Sequence, residues 1–287
     1  MKKSSIMLGF AFATLGAPLF AQSKAPKEPQ ALEPAFCLAK ADQVIGLDVR
    51  DGADKSRGEI GELLVDPHSG EIRYAVLEVG GFLGMGEERR VVPYALVRVA
   101  PDEKDPKDLK ARTALTEAQI RAAPTCKKDQ ALDADLDRKV EAAFGADEAW
   151  RFTGTGKPAF VRVGSLDDLV VKDPANVEVG KVKDIVLAPR NNCVAFVVID
   201  ATKDAGGKDT AVPFTKVAFV PDREGKLTAT TAVQAMQLKS APAYDATDWK
   251  RMCGAPWITE LHTYYECEPF WKSPRFSRVH DAAERRP

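Results

Sequence analysis

The chain has 287 residues and balanced charge, with 41 lysines and arginines against 42 aspartates and glutamates. A net charge of −1 gives no attraction for a polyanion, so we expect no nucleic-acid partner. Hydrophobic residues make up 45% of the chain, which is enough for two small domains, each with its own core.

Residues 1–21 have the pattern of a secretory signal peptide. Lys2 and Lys3 form a basic start, a mostly apolar stretch follows, and Ala21 precedes a plausible cleavage site. The apolar stretch is short and contains a proline, so a permanent membrane helix is the weaker interpretation. We expect a periplasmic or secreted protein with no membrane span in its mature chain. The alternative is an uncleaved segment that anchors the chain at the membrane.

Residues 22–40 carry three prolines among polar residues and are predicted to be a flexible leader. Short runs rich in Val, Ile and Leu follow, each bounded by turn residues. They predict strands at 44–50, 59–66, 72–79, 89–92 and 96–99. Such spacing indicates a small barrel or sandwich. The barrel is favoured because closing the sheet leaves no edge strand unpaired. Thr116 and Gln119 fit a capping box, so we place a short helix at the end of a first domain that spans residues 41–124.

Residues 125–163 are predicted to form a linker with its own helix. Apolar residues recur at helical spacing over 132–144, and Gly145 follows where helices commonly stop. This pattern predicts an amphipathic connector helix that packs on one or both barrels.

Residues 47–79 return at 169–201 with a constant offset of 122 positions. Tyr74-Ala75-Val76-Leu77-Glu78, for example, returns as Phe196-Val197-Val198-Ile199-Asp200. A duplicated unit of this size predicts a second domain of the same fold, which we place at 164–242 with a short terminal helix.

The remaining segment, 243–287, is rich in aromatic residues and has no evident counterpart after the first repeat. These residues are Tyr244, Trp249, Trp257, Tyr264, Tyr265, Phe270, Trp271 and Phe276. The tail either wraps back on the second barrel or offers an aromatic contact surface.

Several segments of both repeats together form a recognisable pattern. The first repeat has Val44-Ile45-Gly46-Leu47, Gly58-Glu59-Ile60, Val65-Asp66-Pro67, Gly70, residues 72–76, residues 80–84 and Val92-Pro93-Tyr94. The second repeat keeps Gly180, Pro189, residues 194–199 and Val212-Pro213-Phe214. These segments resemble the PRC-barrel family. The resemblance implies a five- or six-stranded barrel that serves as a docking or adaptor module, and it supplies no catalytic residues.

The predicted fold class is therefore mainly β with some α. It consists of two small PRC-type β-barrels, each with a short C-terminal helix, joined by the amphipathic connector helix.

The glycine-rich segment 80–86 is predicted to be a hairpin tip. A phosphate-binding turn leads into a helix, but the residues that follow here indicate a strand. Phe82, Leu83 and Met85 are large apolar residues at a position that is usually polar, so they either fold back over the barrel end or contact a partner. The equivalent residues of the second repeat, 202–208, are mostly polar, which confines a partner role to the first repeat.

The chain has five cysteines, and an exported chain meets an oxidising compartment in which paired cysteines form disulfides. Cys37 and Cys126 bracket the first repeat, and Cys253 and Cys267 bracket an aromatic segment. These are the candidate pairs, although position alone does not set connectivity. Cys193 is the candidate for the unpaired cysteine.

No pattern in the sequence predicts catalysis, a metal or a cofactor. Cys253, His262 and Cys267 are close together, but their spacing matches no common zinc finger, and a disulfide beside a surface histidine explains it more simply. No Gly-x-Ser-x-Gly elbow is present.

These observations predict a non-catalytic exported protein that binds or scaffolds an envelope protein, whose identity the sequence does not give. The alternative is a ligand-binding or enzymatic protein with a site in the cleft between the two barrels. A groove lined by Trp150, Trp249 or Trp257 would favour the alternative.

Overall fold

The computed structural model describes residues 37–80, 86, 88–105, 108–128, 130, 133–145, 160–221 and 226–272. The predicted signal peptide and most of the leader lie outside the described residues. All described residues belong to one compact unit.

The first half of the chain contains seven strands and three helices among its described residues. They are β1 (Ala39–Lys40), α1 (Ala41–Val44), β2 (Asp48–Arg50), β3 (Ser56–Val65), β4 (Ile72–Val79), β5 (Glu88–Pro93), β6 (Val97–Pro101), β7 (Leu109–Thr113), α2 (Glu117–Ala122) and α3 (Ala134–Phe144).

The second half also contains seven strands and three helices among its described residues. Its elements are β8 (Val161–Arg162), β9 (Val170–Lys172), β10 (Glu178–Ala188), β11 (Cys193–Ala201), β12 (Asp209–Pro213), β13 (Val217–Pro221), β14 (Leu227–Thr231), α4 (Ala235–Lys239), α5 (Trp249–Met252) and α6 (Ala255–Tyr264). None of the helices in the described part of the chain combines the length and apolar character that a membrane crossing requires.

The two halves form sheets with the same strand order. The first is β5-β4-β3-β2-β7-β6 and the second is β12-β11-β10-β9-β14-β13. In each, the third and fourth strands of the path pair antiparallel, while β2–β7 and β9–β14 are parallel. The 3₁₀ turns Tyr94–Leu96 and Phe214–Lys216 join the two ends of each path. The predicted duplication and the two-barrel fold are confirmed.

The predicted strands agree with the structure best where β-branched residues are dense. β4 has the predicted bounds, whereas the predicted strand 44–50 is shortened to β2 because Val44 ends α1 and a turn follows before Asp48. The Lys40 backbone N–H donates to the Gln43 side chain (3.0 Å), which stabilises this helical turn. β7 was not predicted, because its buried residues Ala111 and Thr113 are too small to give a strong strand pattern.

Each half also gives its first strand to the sheet of the other half. In β1, Ala39 lies opposite Leu187 of β10, and in β8, Val161 lies opposite Val65 of β3. These two pairings are related by the repeat offset, so the exchange is reciprocal. The structure therefore departs from the predicted leader at its end, since Ala39–Lys40 is a strand of the folded protein.

Ion pairs follow the same symmetry. Lys40 Nζ lies 2.8 Å from Asp184, and Arg162 Nε lies 3.1 Å from Glu62, and both pairs are partly buried. Each pair fixes an exchanged strand to the strand that receives it.

Backbone hydrogen bonds join the halves at the centre of the junction. The Ile72 N–H donates to the Asn192 carbonyl (2.7 Å), and the Val194 N–H donates to the Gly70 carbonyl (2.8 Å). Glu71 and Cys193, which are equivalent positions of the two repeats, form an antiparallel β-bridge between these two hydrogen bonds. The main buried hydrophobic cluster contains residues from both halves, so the expectation of two separate cores is wrong: the exchange merges them.

The connector helix α3 has the predicted amphipathic character and ends at Gly145, whose φ is 82°. Its buried Leu136 and Val140 join a second, smaller cluster on the outer face of the first barrel, with Tyr74 and Phe160. The described part of the connector thus packs on the first barrel.

The tail wraps back on the second barrel. Trp257 of α6 packs edge-on against Phe196 (ring centroids 5.5 Å apart), and Ile258 and Leu261 are fully buried. α6 packs against β12 as α3 packs against the equivalent β5. The expectation that the tail has no counterpart is therefore wrong, because α6 occupies on the second barrel the place of α3 on the first.

Gly70 lies where the two halves pack closely against each other. Its φ is 76°, and a Cβ added there would lie 2.7 Å from Cδ1 of the buried Phe214. We expect Gly70→Ala to lower the free energy of unfolding by about 1–3 kcal/mol, through overpacking and backbone strain. Chemical denaturation measures the change. Gly164→Ala is the control, since no atom lies within 4 Å of its Cβ position; equal stability of the two variants would contradict a closely packed junction.

Candidate functional site

The predicted hairpin tip joins β4 to β5. These strands pair antiparallel from Tyr74 opposite Pro93 to Val79 opposite Glu88, and Gly80 and Gly86 have φ values of 77° and 83°. The candidate contact residues Phe82, Leu83 and Met85 lie outside the described residues. The structure describes the strands that this segment joins, as far as Gly80 and again at Gly86 and from Glu88.

An open cleft of about 540 Å³ adjoins this base. Val79 and Gly80 line it together with residues of β3 and α2, among them Arg57, Ile120 and Arg121. The cleft therefore combines an apolar floor with charged walls, next to the attachment point of an apolar loop.

The charged wall is held by ion pairs that centre on Glu117. Its carboxylate lies 3.0 Å from Arg57, 3.2 Å from Lys55 and 3.0 Å from Arg121. Hydrogen bonds from Arg121 and Lys55 lower the pKa of Glu117, so it stays ionised at neutral pH. The predicted capping box of α2, formed by Thr116 and Gln119, is confirmed. The helix that it starts carries both Glu117 and Arg121.

The second barrel differs at the same end. Its turn contains the 3₁₀ helix Lys203–Ala205, which packs against α4, and Ala205 is fully buried. A Cβ on Gly206 would lie 3.1 Å from the Lys239 Cα, so turn and helix are in close contact. The turn of the second repeat thus packs onto its own barrel.

A buried polar cluster lies between the first barrel and α3. The Arg73 side chain is 1% exposed, and its guanidinium lies 3.1 Å from the Glu71 carboxylate and 3.9 Å from that of Asp137. The Tyr74 hydroxyl donates a hydrogen bond to Asp137. Burial, with the Asp137 carboxylate alongside, raises the pKa of Tyr74, so the phenol remains a donor.

The equivalent place on the second barrel holds a cavity of about 310 Å³. Residues from both repeats line it, and the principal ones are Ser69, Ala195, Phe214, His262, Glu268 and Phe270. Neither Trp249 nor Trp257 is among its lining residues: Trp257 is buried against Phe196 and Trp249 packs against the core. Trp150, the third tryptophan named for a groove, lies outside the described residues.

His262 is buried, which corrects the expectation of a surface histidine. Its Nδ1 lies 2.8 Å from the Ile258 carbonyl, so this nitrogen carries the proton and donates. Burial lowers the pKa of His262 despite that hydrogen bond, so the ring is neutral at neutral pH. His68 is exposed, and its Nδ1 lies 3.5 Å from Asp66. Within the described ranges no group of three potential metal ligands is found.

All five cysteines are free thiols in the structure. Burial raises the pKa of each of them, so they remain protonated at neutral pH. The Leu38 backbone hydrogen-bonds to the Cys253 thiol, which places Cys253 beside Cys37, whereas Cys126 contacts Arg162. The pairings Cys37 with Cys126 and Cys253 with Cys267 are not formed in the structure and stay predictions.

The strand order shared by the two halves agrees with a comparison against family models. The model for the PRC-barrel domain matches twice, at residues 39–108 and 160–232. The chain belongs to the PRC-barrel family. The matches begin at the exchanged strands β1 and β8, so each PRC-barrel domain includes the strand that it gives to the other.

The two PRC-barrel matches end before the helices that cover the barrels. α2 and α3 lie after the first match, and α4 to α6 lie after the second. A search of curated proteins finds no match to the chain. The covering helices therefore lie outside the matched segments, whereas the barrel residues beneath them, such as Arg73 and Ala195, lie within them.

Proposed function

We propose that this PRC-barrel protein is exported and acts as a non-catalytic module that binds or scaffolds a protein in the bacterial cell envelope. The tip of the first barrel, with Phe82, Leu83 and Met85, provides the contact. The signal-like pattern of residues 1–21 supports export.

One observation carries this proposal: the two barrels differ at the same end. In the second, the turn Lys203–Ala205 packs onto α4, while in the first the base of the tip borders an open cleft. A cleft with charged walls, next to the strands that lead into the apolar sequence Phe82-Leu83, suits a protein partner, since protein interfaces combine an apolar centre with a polar rim.

The test is recovery of partners from envelope extracts by the immobilised full chain. We expect Phe82→Ser combined with Leu83→Ser to lower recovery of a specific partner about tenfold or more, because large apolar side chains supply most of the binding energy at such contacts. The matched control is Lys203→Ser combined with Asp204→Ser, two exposed residues in the turn of the second repeat, which should recover the partner as the wild type does. Equal recovery of every protein by all three chains would contradict the proposal.

A second candidate function is the binding of a small ligand at the junction of the repeats. The cavity that contains His262 favours it, because Ser69 of the first repeat and the tail of the second both line it. Small-molecule sites occur preferentially at such domain junctions.

A further inference from the structure

The two repeats carry different residues at the β-bulge beneath the helix that packs on each barrel. In the first, Tyr74 pairs with Leu64 and Ile72 with Val65, so Arg73 is the extra residue of a β-bulge. In the second, Phe196 pairs with Val186 and Val194 with Leu187, so Ala195 is the extra residue of the equivalent bulge.

The first repeat fills this space with its own cation. The Arg73 guanidinium is buried between the barrel and α3, beside the carboxylates of Glu71 and Asp137 and 5.8 Å from the centre of the Tyr74 ring. The site thus combines acceptor groups with an aromatic face, which is the environment that a guanidinium favours.

The second repeat has neither the arginine nor its two carboxylate partners, since Cys193 and Thr259 stand at the positions of Glu71 and Asp137. With alanine at position 195, the cavity of about 310 Å³ opens between the barrel and α6. The rings of Phe214 and Phe270 are buried in its wall, and the exposed Glu268 lies at its mouth.

His262 completes the set of acceptors. Its Nδ1–H is bound to the Ile258 carbonyl of the same helix, so the opposite ring edge, with Nε2, faces away from the helix backbone. The neutral ring keeps a lone pair at Nε2, and His262 is among the residues that line the cavity. No hydrogen bond to Nε2 is made within the described part of the chain.

We propose that this cavity binds the guanidinium group of a ligand in the space that the Arg73 side chain fills in the first repeat. His262 accepts a hydrogen bond at the inner end, the Glu268 carboxylate neutralises charge at the mouth, and the phenylalanine rings flank the cation. The group comes either from a free arginine-like molecule or from an arginine side chain of a partner. The proposal rests on the second candidate function, whose ligand class it specifies, and is independent of the tip of the first barrel.

The test is calorimetric titration of the full chain with L-arginine and with the capped peptide acetyl-Gly-Arg-Gly-amide. We expect saturable binding of at least one of the two, and none of citrulline, which has the same shape without the charge. Binding of the peptide identifies a side chain as the source, and binding of free arginine alone identifies a small molecule; either supports the guanidinium site.

Two variants locate the site. Ala195→Arg supplies the side chain of the first repeat and should abolish binding. Glu268→Gln, at an exposed position, should weaken binding about threefold, as expected for an exposed charge pair. Glu266→Gln, also exposed, is the matched control and should bind as the wild type does. The proposal is overturned if neither probe binds, if citrulline binds equally well, or if Glu268→Gln and a folded Ala195→Arg both bind like the wild type.

Discussion

Replacement of Phe196 by alanine is expected to lower the free energy of unfolding by about 3–5 kcal/mol. Phe196 is fully buried, and its ring packs against Trp257 (5.5 Å between centroids) and Tyr244 (6.3 Å). The substitution leaves a cavity beneath α6 and removes two aromatic contacts that fix the tail to the second barrel. Denaturant titration followed by tryptophan fluorescence measures the loss, and the emission of Trp257 should shift to the red.

Val220→Ala is the control for this variant. Val220 lies in β13 of the same barrel, but it is 40% exposed, so we expect a change within about 0.5 kcal/mol. A loss below about 1 kcal/mol for Phe196→Ala would mean that the tail contributes little to the stability of the second barrel.

Asp137→Ala is expected to destabilise the protein by about 3–5 kcal/mol, because it removes one partner of a buried ion cluster. The Asp137 side chain is 8% exposed, and the Arg73 guanidinium keeps its charge when this carboxylate is lost. The Tyr74 hydroxyl loses its acceptor at the same time. Thermal and chemical denaturation measure the effect.

Two further variants separate the cluster from the helix that carries it. Arg138→Ala, next in the chain, removes only an exposed pair with Asp135 and should cost less than about 0.5 kcal/mol. Arg73→Met combined with Asp137→Leu and Glu71→Gln removes all three charges of the cluster and should recover most of the stability lost in Asp137→Ala. If the triple variant is as unstable as the single one, packing rather than charge explains the loss.

Much of the fold could be predicted from the sequence, because the signals are local. Dense β-branched residues predicted β4 with its bounds, and the capping pair Thr116 and Gln119 predicted the start of α2. The offset of 122 positions predicted the second barrel. Each of these signals depends only on neighbouring residues or on the repeat itself.

The exchanged strands could not be predicted in this way. Ala39–Lys40 and Val161–Arg162 contain two residues each, which is too short for a periodic pattern. Their positions are set by partners far along the chain, such as Leu187 for Ala39. Lys40 and Asp184 carry the only residue-level signal, an opposite-charge pair that recurs as Arg162 and Glu62.

The sequence contains one signal for the cavity of the second repeat. Aligned at the repeat offset, the charged Arg73 stands opposite Ala195, and both have apolar or aromatic neighbours on either side. The difference has a meaning only once α6 is known to cover the second barrel as α3 covers the first. Nothing in the sequence pattern of the tail relates α6 to α3, so the sequence does not place His262 against this position.

The reciprocal exchange also constrains the order in which the molecule can assemble. A chain made from its N-terminus presents β1 long before β10 exists, and the edge of β3 stays unpaired until residues 161–162 have emerged. A product truncated between the halves keeps that open edge, and the same residues of a second, complete copy can add to it. Domain-swapped oligomers are therefore the characteristic misassembly of this architecture.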